Sequence, residues 1–474
     1  MASILDLLLT ELQGLSAQSP ELAQACAPLM ARVSTPPRIV IVGRIKAGKS
    51  TLLNALVGAP VAETKALEAT NVVTVYQYGA PDRAEAMLRN GQRVPIQTMR
   101  GEVAALPSPP VDIAFIDRWM PASAVSNYTL IDTPGLATLT DENEATTRAA
   151  LIDGYEQTRS ASVDADAAMF LFDSAPRRDE VEFIQQLGFT PLNTLGVLSR
   201  ADSFAEGALG YEDPMVAAGH HAQRLQRELA SYVGRVMPVS GLLAQTAATG
   251  VVTEALTRQI ARVTAMSRTD LITELFTGEP GGSHSAVNNI TNVIDVVGEY
   301  GLFRGADEAA QGAASFNEWL TRSSGIGALR EVLEKELSTY AYLHRSGEIL
   351  ASLENLVYRH PAHAEAIRHA VSTVRNHPAA IPAKLLVTLK GLLASSAQDI
   401  FLEEATRLAT IGSPAQRLGL PDNANAWQIL DRIQEKRREM QTLSFGLLDP
   451  SEEHALVTFA QAYDQLERNA QAMT

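Results

Sequence analysis

Residues 43–50 read GRIKAGKS and match the pattern G-x-x-x-x-G-K-[ST] of a phosphate-binding loop. They follow a predicted strand at 39–42 and precede a predicted helix at 50–57, as such a loop must. Glycine lets backbone N–H groups curl around phosphate oxygens, and the helix N-terminus adds partial positive charge. The pattern predicts that Lys49 reaches the β- and γ-phosphates of a nucleotide and that the Ser50 hydroxyl binds Mg²⁺.

Two further motifs are typical of residues that surround a γ-phosphate. Asp132 follows a predicted strand at 129–131, and a carboxylate at a strand end can hold Mg²⁺ through a water. The N–H of Gly135 can meet the γ-phosphate, and glycine permits the loop to reorganise when that phosphate leaves. Thr70 precedes a predicted strand at 72–78 and can complete the Mg²⁺ shell. The metal ligands predicted from these motifs are Ser50, Thr70 and Asp132.

The last two motifs concern the base. Asp202 follows the predicted strand 195–198, where a carboxylate can accept both N–H donors of guanine, which adenine does not offer. The pair Ser240-Gly241 follows the last predicted strand and forms a second base-contacting loop. Apart from Thr70, these motifs lie at the carboxyl ends of strands, where α/β sheets bind ligands. The predicted nucleotide-contacting residues are Gly43, Ala47, Gly48, Lys49, Ser50, Thr51, Asp132, Ser199, Arg200, Asp202, Ser240 and Gly241.

Short apolar runs alternate with helical stretches between residues 38 and 239, which predicts a mostly parallel sheet covered by helices. The predicted strands are 39–42, 72–78, 113–115, 129–131, 168–172, 195–198 and 236–239. Beyond residue 239 the patterns predict only helices, including one long helix with an apolar stripe at 326–343.

The N-terminal segment is also helical, with leucines at helical spacing, and an amphipathic helix must bury its stripe against another element. We therefore expect a helical bundle that includes it. The predicted division is 1–35 for the N-terminal helices, 36–325 for the nucleotide-binding domain and 326–474 for the bundle.

Composition excludes several classes of protein. The 474 residues carry a formal net charge of −15, which argues against a nucleic-acid binder. Cys26 is the only cysteine, so no internal disulfide forms and a cytoplasmic location is expected. No apolar run reaches about 18 residues, and the first thirty residues lack a basic segment, so neither a spanning helix nor a signal peptide is expected. Membrane contact would then be peripheral, at the inner face of the cell membrane.

These motifs carry a family resemblance. The runs KSTLLNALVG (49–58) and ATNVVT (69–74) resemble the phosphate-loop helix and first switch of dynamin-type GTPases. Further similar stretches lie at 199–202, 239–244 and 415–420. The chain thus resembles the bacterial dynamin-like GTPases, and within them most the isoniazid-inducible dynamin-like family of actinobacteria, in particular its shorter member.

The resemblance implies a Ras-like α/β GTPase domain on an all-α neck or trunk that contains the N-terminal helix. It implies Mg²⁺-dependent hydrolysis of GTP to GDP, with dimerisation of GTPase domains coupled to membrane binding, fusion or remodelling. The bundle is short for a dynamin, because a helix of about 30 residues spans only about 45 Å. A larger dynamin-like sibling subunit is therefore an expected partner.

The sequence departs from the family pattern in two places. The guanine motif begins Ser199-Arg200 where the family has Asn/Thr-Lys, which puts nucleotide affinity in question. In the phosphate loop, Ile45 and Lys46 stand where eukaryotic dynamins have Gln and Ser, which help to hold a monovalent cation. One hypothesis is that Lys46 supplies this charge as a cis finger. The alternative is a solvated lysine at the loop tip.

The candidate catalytic residues are accordingly Lys46, Lys49, Thr70 and Gly135. Three functions remain to be compared: a dynamin-like mechanoenzyme, a regulatory or assembly GTPase acting on a protein partner without direct membrane work, and a scaffold that binds nucleotide without hydrolysing it. Thr70, Asp132 and Gly135 argue against the scaffold.

The apolar run at 443–448 lies between two predicted helices, although loops normally run over the surface. Phe445, Leu447 and Leu448 can form a tip that inserts into a membrane or binds a partner. The alternative is a hydrophobic segment packed beneath the bundle.

Overall fold

The computed structural model describes residues 3–44, 46–61, 72–99, 102–103, 105–133, 165–266, 269 and 284–472. Ile45, Thr70 and Gly135 lie outside the described residues. The chain divides into two compact units. The helical unit comprises Met1–Pro37, Gly188–Asn193 and Ser338–Thr474, and the sheet unit comprises Arg38–Leu187 and Thr194–Leu337.

Two helices open the chain, α1 (Ile4–Ser16) and α2 (Pro20–Ser34). The strands of the sheet unit are β1 (Arg38–Gly43), β2 (Thr74–Tyr78), β3 (Arg83–Leu88), β4 (Arg93–Ile96), β5 (Thr98–Met99), β6 (Glu102–Val103), β7 (Ile113–Met120), β8 (Thr129–Asp132), β9 (Ala167–Phe172), β10 (Thr194–Leu198) and β11 (Arg235–Pro238). Nine of them form one sheet in the order β11-β10-β9-β1-β8-β2-β7-β3-β4, and β5 pairs with β6.

The sheet is mostly parallel around its centre. Strand β1 pairs in parallel with β8 on one side and β9 on the other, and β10 and β11 continue the parallel half. Strand β2 runs antiparallel to β8 and parallel to β7. The side chains of Ile39, Val40, Ile41 and Val42 are fully buried, as expected of a strand covered on both faces.

Helices surround and follow the strands. They are α3 (Lys49–Val57), α4 (Arg178–Gln186), α5 (Pro214–Glu228), α6 (Gly241–Ala248), α7 (Glu254–Thr264), α8 (His284–Arg304), α9 (Ala306–Ala310), α10 (Ala313–Ser323) and α11 (Ile326–Val332). A π-helical turn, Leu333–Leu337, ends the sheet unit. The long helix expected over 326–343 is present, since α11, the π-turn and the helix from Ser338 follow one another without a break, and the π-turn adds an extra residue within it. Residues 326–337 belong to the sheet unit rather than to the bundle.

The helical unit contains α1, α2 and the C-terminal helices. These are α12 (Ser338–Arg359), α13 (Ala364–Asn376), α14 (Ile381–Leu393), α15 (Asp399–Ala409), α16 (Pro414–Arg417), α17 (Ala426–Leu443) and α18 (Pro450–Gln471). One apolar core joins α1 and α2 to α12 and α13, and a second joins α14, α15, α17 and α18. The expected all-α bundle with the N-terminal helices is confirmed.

Arg345 fixes the end of α2 within this unit. Its side chain is only 1% exposed, and its guanidinium donates to the carbonyls of Arg32, Thr35 and Pro36 at 2.5–2.9 Å. These are carbonyls at and beyond a helix C-terminus, which lack partners within the helix. A buried charge thereby satisfies the backbone where the chain leaves the bundle.

Candidate nucleotide-binding site

The loop between β1 and α3 depends on glycine at its two ends. A Cβ on Gly43 would lie 2.6 Å from the carbonyl oxygen of Leu171 in the neighbouring β9. Gly48 has a φ of 91° and caps α3. Larger residues at these positions would clash or be strained. The sequence pattern therefore reflects a backbone path that places the N-terminus of α3 at the end of β1.

Lys49 lies folded back on this loop. Its side chain is 8% exposed, and its Nζ donates to the carbonyl oxygens of Gly43 and Arg44, both at 3.0 Å. Burial lowers the pKa of Lys49, and the carboxylate of Asp132 acts in the opposite direction. The ammonium is thus held in a partly desolvated place, where its charge acts more strongly on an anion than it would in water.

Asp132 is the last residue of β8 and lies beside β1, the strand that leads into the phosphate loop. Its Cα is in register with that of Ile41 in β1. Its Oδ1 is buried and has no hydrogen-bond partner among the described residues. Burial raises the pKa of Asp132 to about 6, although Lys49 opposes this rise. A buried carboxylate oxygen without a partner fits a hard cation such as Mg²⁺, which prefers oxygen ligands. The described residues at this position therefore fit the predicted metal.

Arg200 occupies the place of the family's lysine in the guanine motif. Its Nη2 donates to the carbonyl oxygen of Lys46 at 2.8 Å. Both residues adopt left-handed backbone conformations, with φ of 53° and 66°. The arginine thus connects the base motif to the tip of the phosphate loop, and the departure from lysine leaves a cation at that contact.

The two predicted base-contacting segments lie side by side. The N–H of Ala201 donates to the carbonyl of Val239 at 3.3 Å, which joins the segment after β10 to the segment after β11. Ser240 is buried and caps α6 by accepting from the N–H of Leu243 at 3.4 Å. A Cβ on Gly241 would lie 3.3 Å from Thr51 of α3.

The first residue of the guanine motif, Ser199, lies next to Gly48 of the phosphate loop. A Cβ added to Gly48 would be 3.8 Å from the Cβ of Ser199. The structure therefore assembles the predicted residues it describes at one edge of the sheet.

The sequence motifs did not reveal an ion pair beside the loop. Arg44, at the second position of the loop, lies 3.5 Å from the carboxylate of Glu180 in α4. Glu180 is 3% exposed and also accepts from the N–H of Arg177 at 2.7 Å, which caps the helix. An acidic residue in the first turn of a helix gives no sign of a distant partner, so only the fold identifies this contact.

The apolar run after α17 is divided between solvent and core. Phe445 and Leu447 are 83% and 101% exposed, so packing beneath the bundle is wrong for both. Leu448 instead packs against the core of α14, α15, α17 and α18, so it is not part of an exposed tip.

Two of the basic side chains of α17, Lys436 and Arg437, are held in ion pairs. Lys436 pairs with Glu404 and Glu439 at 3.2 and 2.6 Å. Arg437 pairs with Asp464 and Glu467 at 2.6 and 2.7 Å. Within the described parts of the chain, no helix has both the length and the apolarity that crossing a membrane requires.

Comparisons with known proteins identify a family and relatives of this chain. The sequence profile described as the dynamin family matches residues 39–198. The chain is 31% identical over 429 residues to the isoniazid-induced protein IniC of Mycobacterium tuberculosis, covering 84% of this chain and 82% of that protein.

Two solved structures are similar at lower identity. One is from an oligomerised bacterial dynamin pair, with 14% identity, a TM-score of 0.31 and coverage of 99% of this chain and 74% of that chain. The other is a GDP-bound GTP-binding protein of Sulfolobus solfataricus, with 15% identity, a TM-score of 0.23 and coverage of 51% and 62%. The phosphate loop, the guanine motif and the extended match to a curated relative together assign the family: the chain belongs to the bacterial dynamin-like GTPases of the isoniazid-induced type.

Proposed function

We propose that this protein hydrolyses GTP to GDP in a cycle of GTPase-domain dimerisation that is coupled to membrane binding, fusion or remodelling. The observation that carries the catalytic part is the arrangement of Lys49, Asp132 and Arg200 around one loop. Lys49 brings a desolvated cation to the phosphates, and Arg200 braces the loop tip at 2.8 Å. Such preorganised charge is the main source of catalysis in phosphoryl transfer.

Mg²⁺ is the proposed cofactor. The Ser50 hydroxyl and the Asp132 carboxylate would hold it, with Thr70 completing the shell, and the unpaired Oδ1 of Asp132 supports this assignment. The bound cation would neutralise charge on the β- and γ-phosphate oxygens. Gly135 is proposed to contact the γ-phosphate through its N–H.

The membrane part of the proposal rests on the exposed pair Phe445 and Leu447. The net charge of −15 and the ion pairs of Lys436 and Arg437 argue against a contact carried by basic side chains of α17. Apolar insertion is therefore the form of contact that this surface supports. We place the protein in the cytoplasm with peripheral contact at the inner face of the cell membrane, and we propose a larger dynamin-like sibling subunit as a partner.

The rate of GTP turnover as a function of protein concentration tests the proposal. We expect turnover per molecule to rise with concentration, because dimerisation completes the site, and to rise further with uncharged liposomes, which the apolar pair can enter without repulsion of the acidic protein. Turnover that responds only to an added protein partner would instead support a regulatory or assembly GTPase. An absence of turnover under all conditions would contradict both and leave a nucleotide-binding scaffold.

The exposed apolar pair gives a second prediction. Changing Phe445→Asp and Leu447→Asp together should weaken liposome co-sedimentation by about tenfold or more, because two large apolar side chains no longer leave water. Lipid-free GTP turnover should not change.

The matched control is Trp427→Asp, which alters another exposed aromatic residue, at the start of α17, the helix that the apolar pair follows. If the double variant and the wild type bind lipid equally, Phe445 and Leu447 do not form a membrane-inserting tip.

A further inference from the structure

The last third of α8 is set apart by a kink. Gly298 has φ 66° and ψ 173°, which is not helical, although the helix continues on both sides. A bend of this kind normally has an identifiable cause, and here it is a glycine in a conformation that other residues rarely adopt. The residues from 298 to 304 therefore follow their own direction, and we call them the bracing segment.

Arg304 and Tyr300 of the bracing segment hold the loop that carries the guanine motif. The Arg304 guanidinium donates from Nε to the carbonyl of Ala208 at 3.1 Å and from Nη2 to the carbonyl of Gly210 at 2.7 Å. The Tyr300 hydroxyl donates to Asp213 at 3.0 Å. Three hydrogen bonds, two of them from a permanently charged donor, thus attach loop 199–213 to the segment.

That loop needs external support. Arg200 and Ala205 have positive φ values of 53° and 54°, and Gly207 has 69°. Positive φ at residues other than glycine costs free energy and persists only where the surroundings impose it. Two short 3₁₀ turns, Ala201–Ser203 and Gly207–Leu209, make up much of the remainder. Without its attachments, such a loop would have other conformations available.

The kink itself lies against the base-contacting residues. A Cβ on Gly298 would be 3.7 Å from Oδ2 of Asp202 and 3.4 Å from the side chain of Leu242, which follows Gly241 in α6. The hydroxyl of Thr246, also in α6, donates to the carbonyl of Val296 just before the kink. One short stretch of α8 therefore touches both segments predicted to contact the base.

We propose that the bracing segment, through Gly298, Tyr300 and Arg304, positions Asp202 for guanine recognition. These three are positioning residues, since they act through the loop and not on the nucleotide. The proposal rests on the guanine-nucleotide function proposed above and deepens it. An Asp202 carboxylate that accepts two N–H donors must be placed accurately, because a site built to hydrogen-bond a ligand discriminates strongly only while its partners are in register.

The test compares GDP with inosine diphosphate, whose base lacks the exocyclic amino group and so offers Asp202 one donor fewer. Dissociation constants are measured by calorimetry on the full chain. Arg304→Gln should weaken GDP binding by about tenfold, the size expected for lost charged hydrogen bonds. Binding of inosine diphosphate should fall by about threefold or less, so the GDP preference shrinks. Tyr300→Phe, which keeps the ring stacked on Trp319, should produce a smaller change in the same direction.

Two further variants control for structure. Arg304→Lys retains a donor and should recover part of the preference, whereas Arg322→Gln changes an exposed arginine of α10 and should leave both constants unchanged. Thermal unfolding shows whether each variant is folded. If Arg304→Gln does not fold, Tyr300→Phe and Arg304→Lys decide the matter.

An unchanged GDP preference in the folded variants overturns the bracing role, since general loosening of the domain would weaken both ligands equally. A wild-type protein that binds GDP no more tightly than ADP would be a different result. It would overturn the proposed guanine-nucleotide function first and this inference with it.

Discussion

Changing Lys49→Ala is expected to lower GTP turnover by about a thousandfold while the protein stays folded. The loss follows from removing the cation that would meet the β- and γ-phosphates in a partly desolvated loop, where a charge stabilises the transition state most. The fold should tolerate the change because burial lowers the pKa of Lys49, which means that folding with a charged ammonium there costs free energy. Turnover and the thermal midpoint, measured on the same preparation, check both statements.

Lys335→Ala is the matched control for Lys49. Lys335 belongs to the same unit but is exposed and pairs with Glu331 four residues earlier at 2.7 Å. Surface pairs of this kind contribute little to stability, so the control should match the wild type in both measurements. A Lys49→Ala variant that keeps more than about a tenth of wild-type turnover would contradict the assigned role, because phosphate-loop charge is worth much more than that.

The strands of the sheet could be located from the sequence where they are apolar throughout. Strand β1 and its parallel neighbours carry continuous apolar runs, which are typical of strands covered on both faces, and the sequence located each of them. The β3–β4 hairpin was not predicted. Its buried positions are occupied by small residues, Ala84 and Ala86, which favour helices as much as strands and leave a weak alternation. The turn at Asn90-Gly91 was the one clear signal that a hairpin was present.

The residues of the candidate site also fall into two groups, those that the sequence could predict and those that it could not. Most residues predicted to contact phosphate or base follow strands directly, so short motifs and the rule for parallel sheets were sufficient to place them at one edge of the sheet. Glu180, Tyr300 and Arg304 act on the site from other elements, across separations in sequence that no local pattern encodes. Gly298 gave a signal, since a glycine within a helical pattern indicates a bend, but the sequence does not show what the bend lies against.

Lys46 is the residue whose conformation the sequence could not anticipate. It has a φ of 66°, which for a residue with a Cβ costs about 1 kcal/mol relative to ordinary conformations. Glycine or asparagine would adopt this backbone more easily. The carbonyl of Lys46 is held by Arg200, so the strained backbone is imposed from outside. Strain of this kind, kept at the tip of a phosphate loop, supports the hypothesis that the exposed ammonium has a function there.

Changing Lys46→Gly separates strain from charge. If Lys46 supplies the charge that a monovalent cation supplies elsewhere, turnover should fall by about a hundredfold, and K⁺ should restore part of it, whereas the wild type should be equally active in Na⁺ and K⁺. The free energy of unfolding should rise by about 1 kcal/mol, because glycine removes the strain. Lys46→Ala, which loses the charge but keeps the strain, should show the same fall in turnover without that gain in stability. Turnover that is unchanged in both variants, with and without K⁺, would mean that Lys46 is a solvated side chain, and the charge at the β–γ bridge would then have to come from another group.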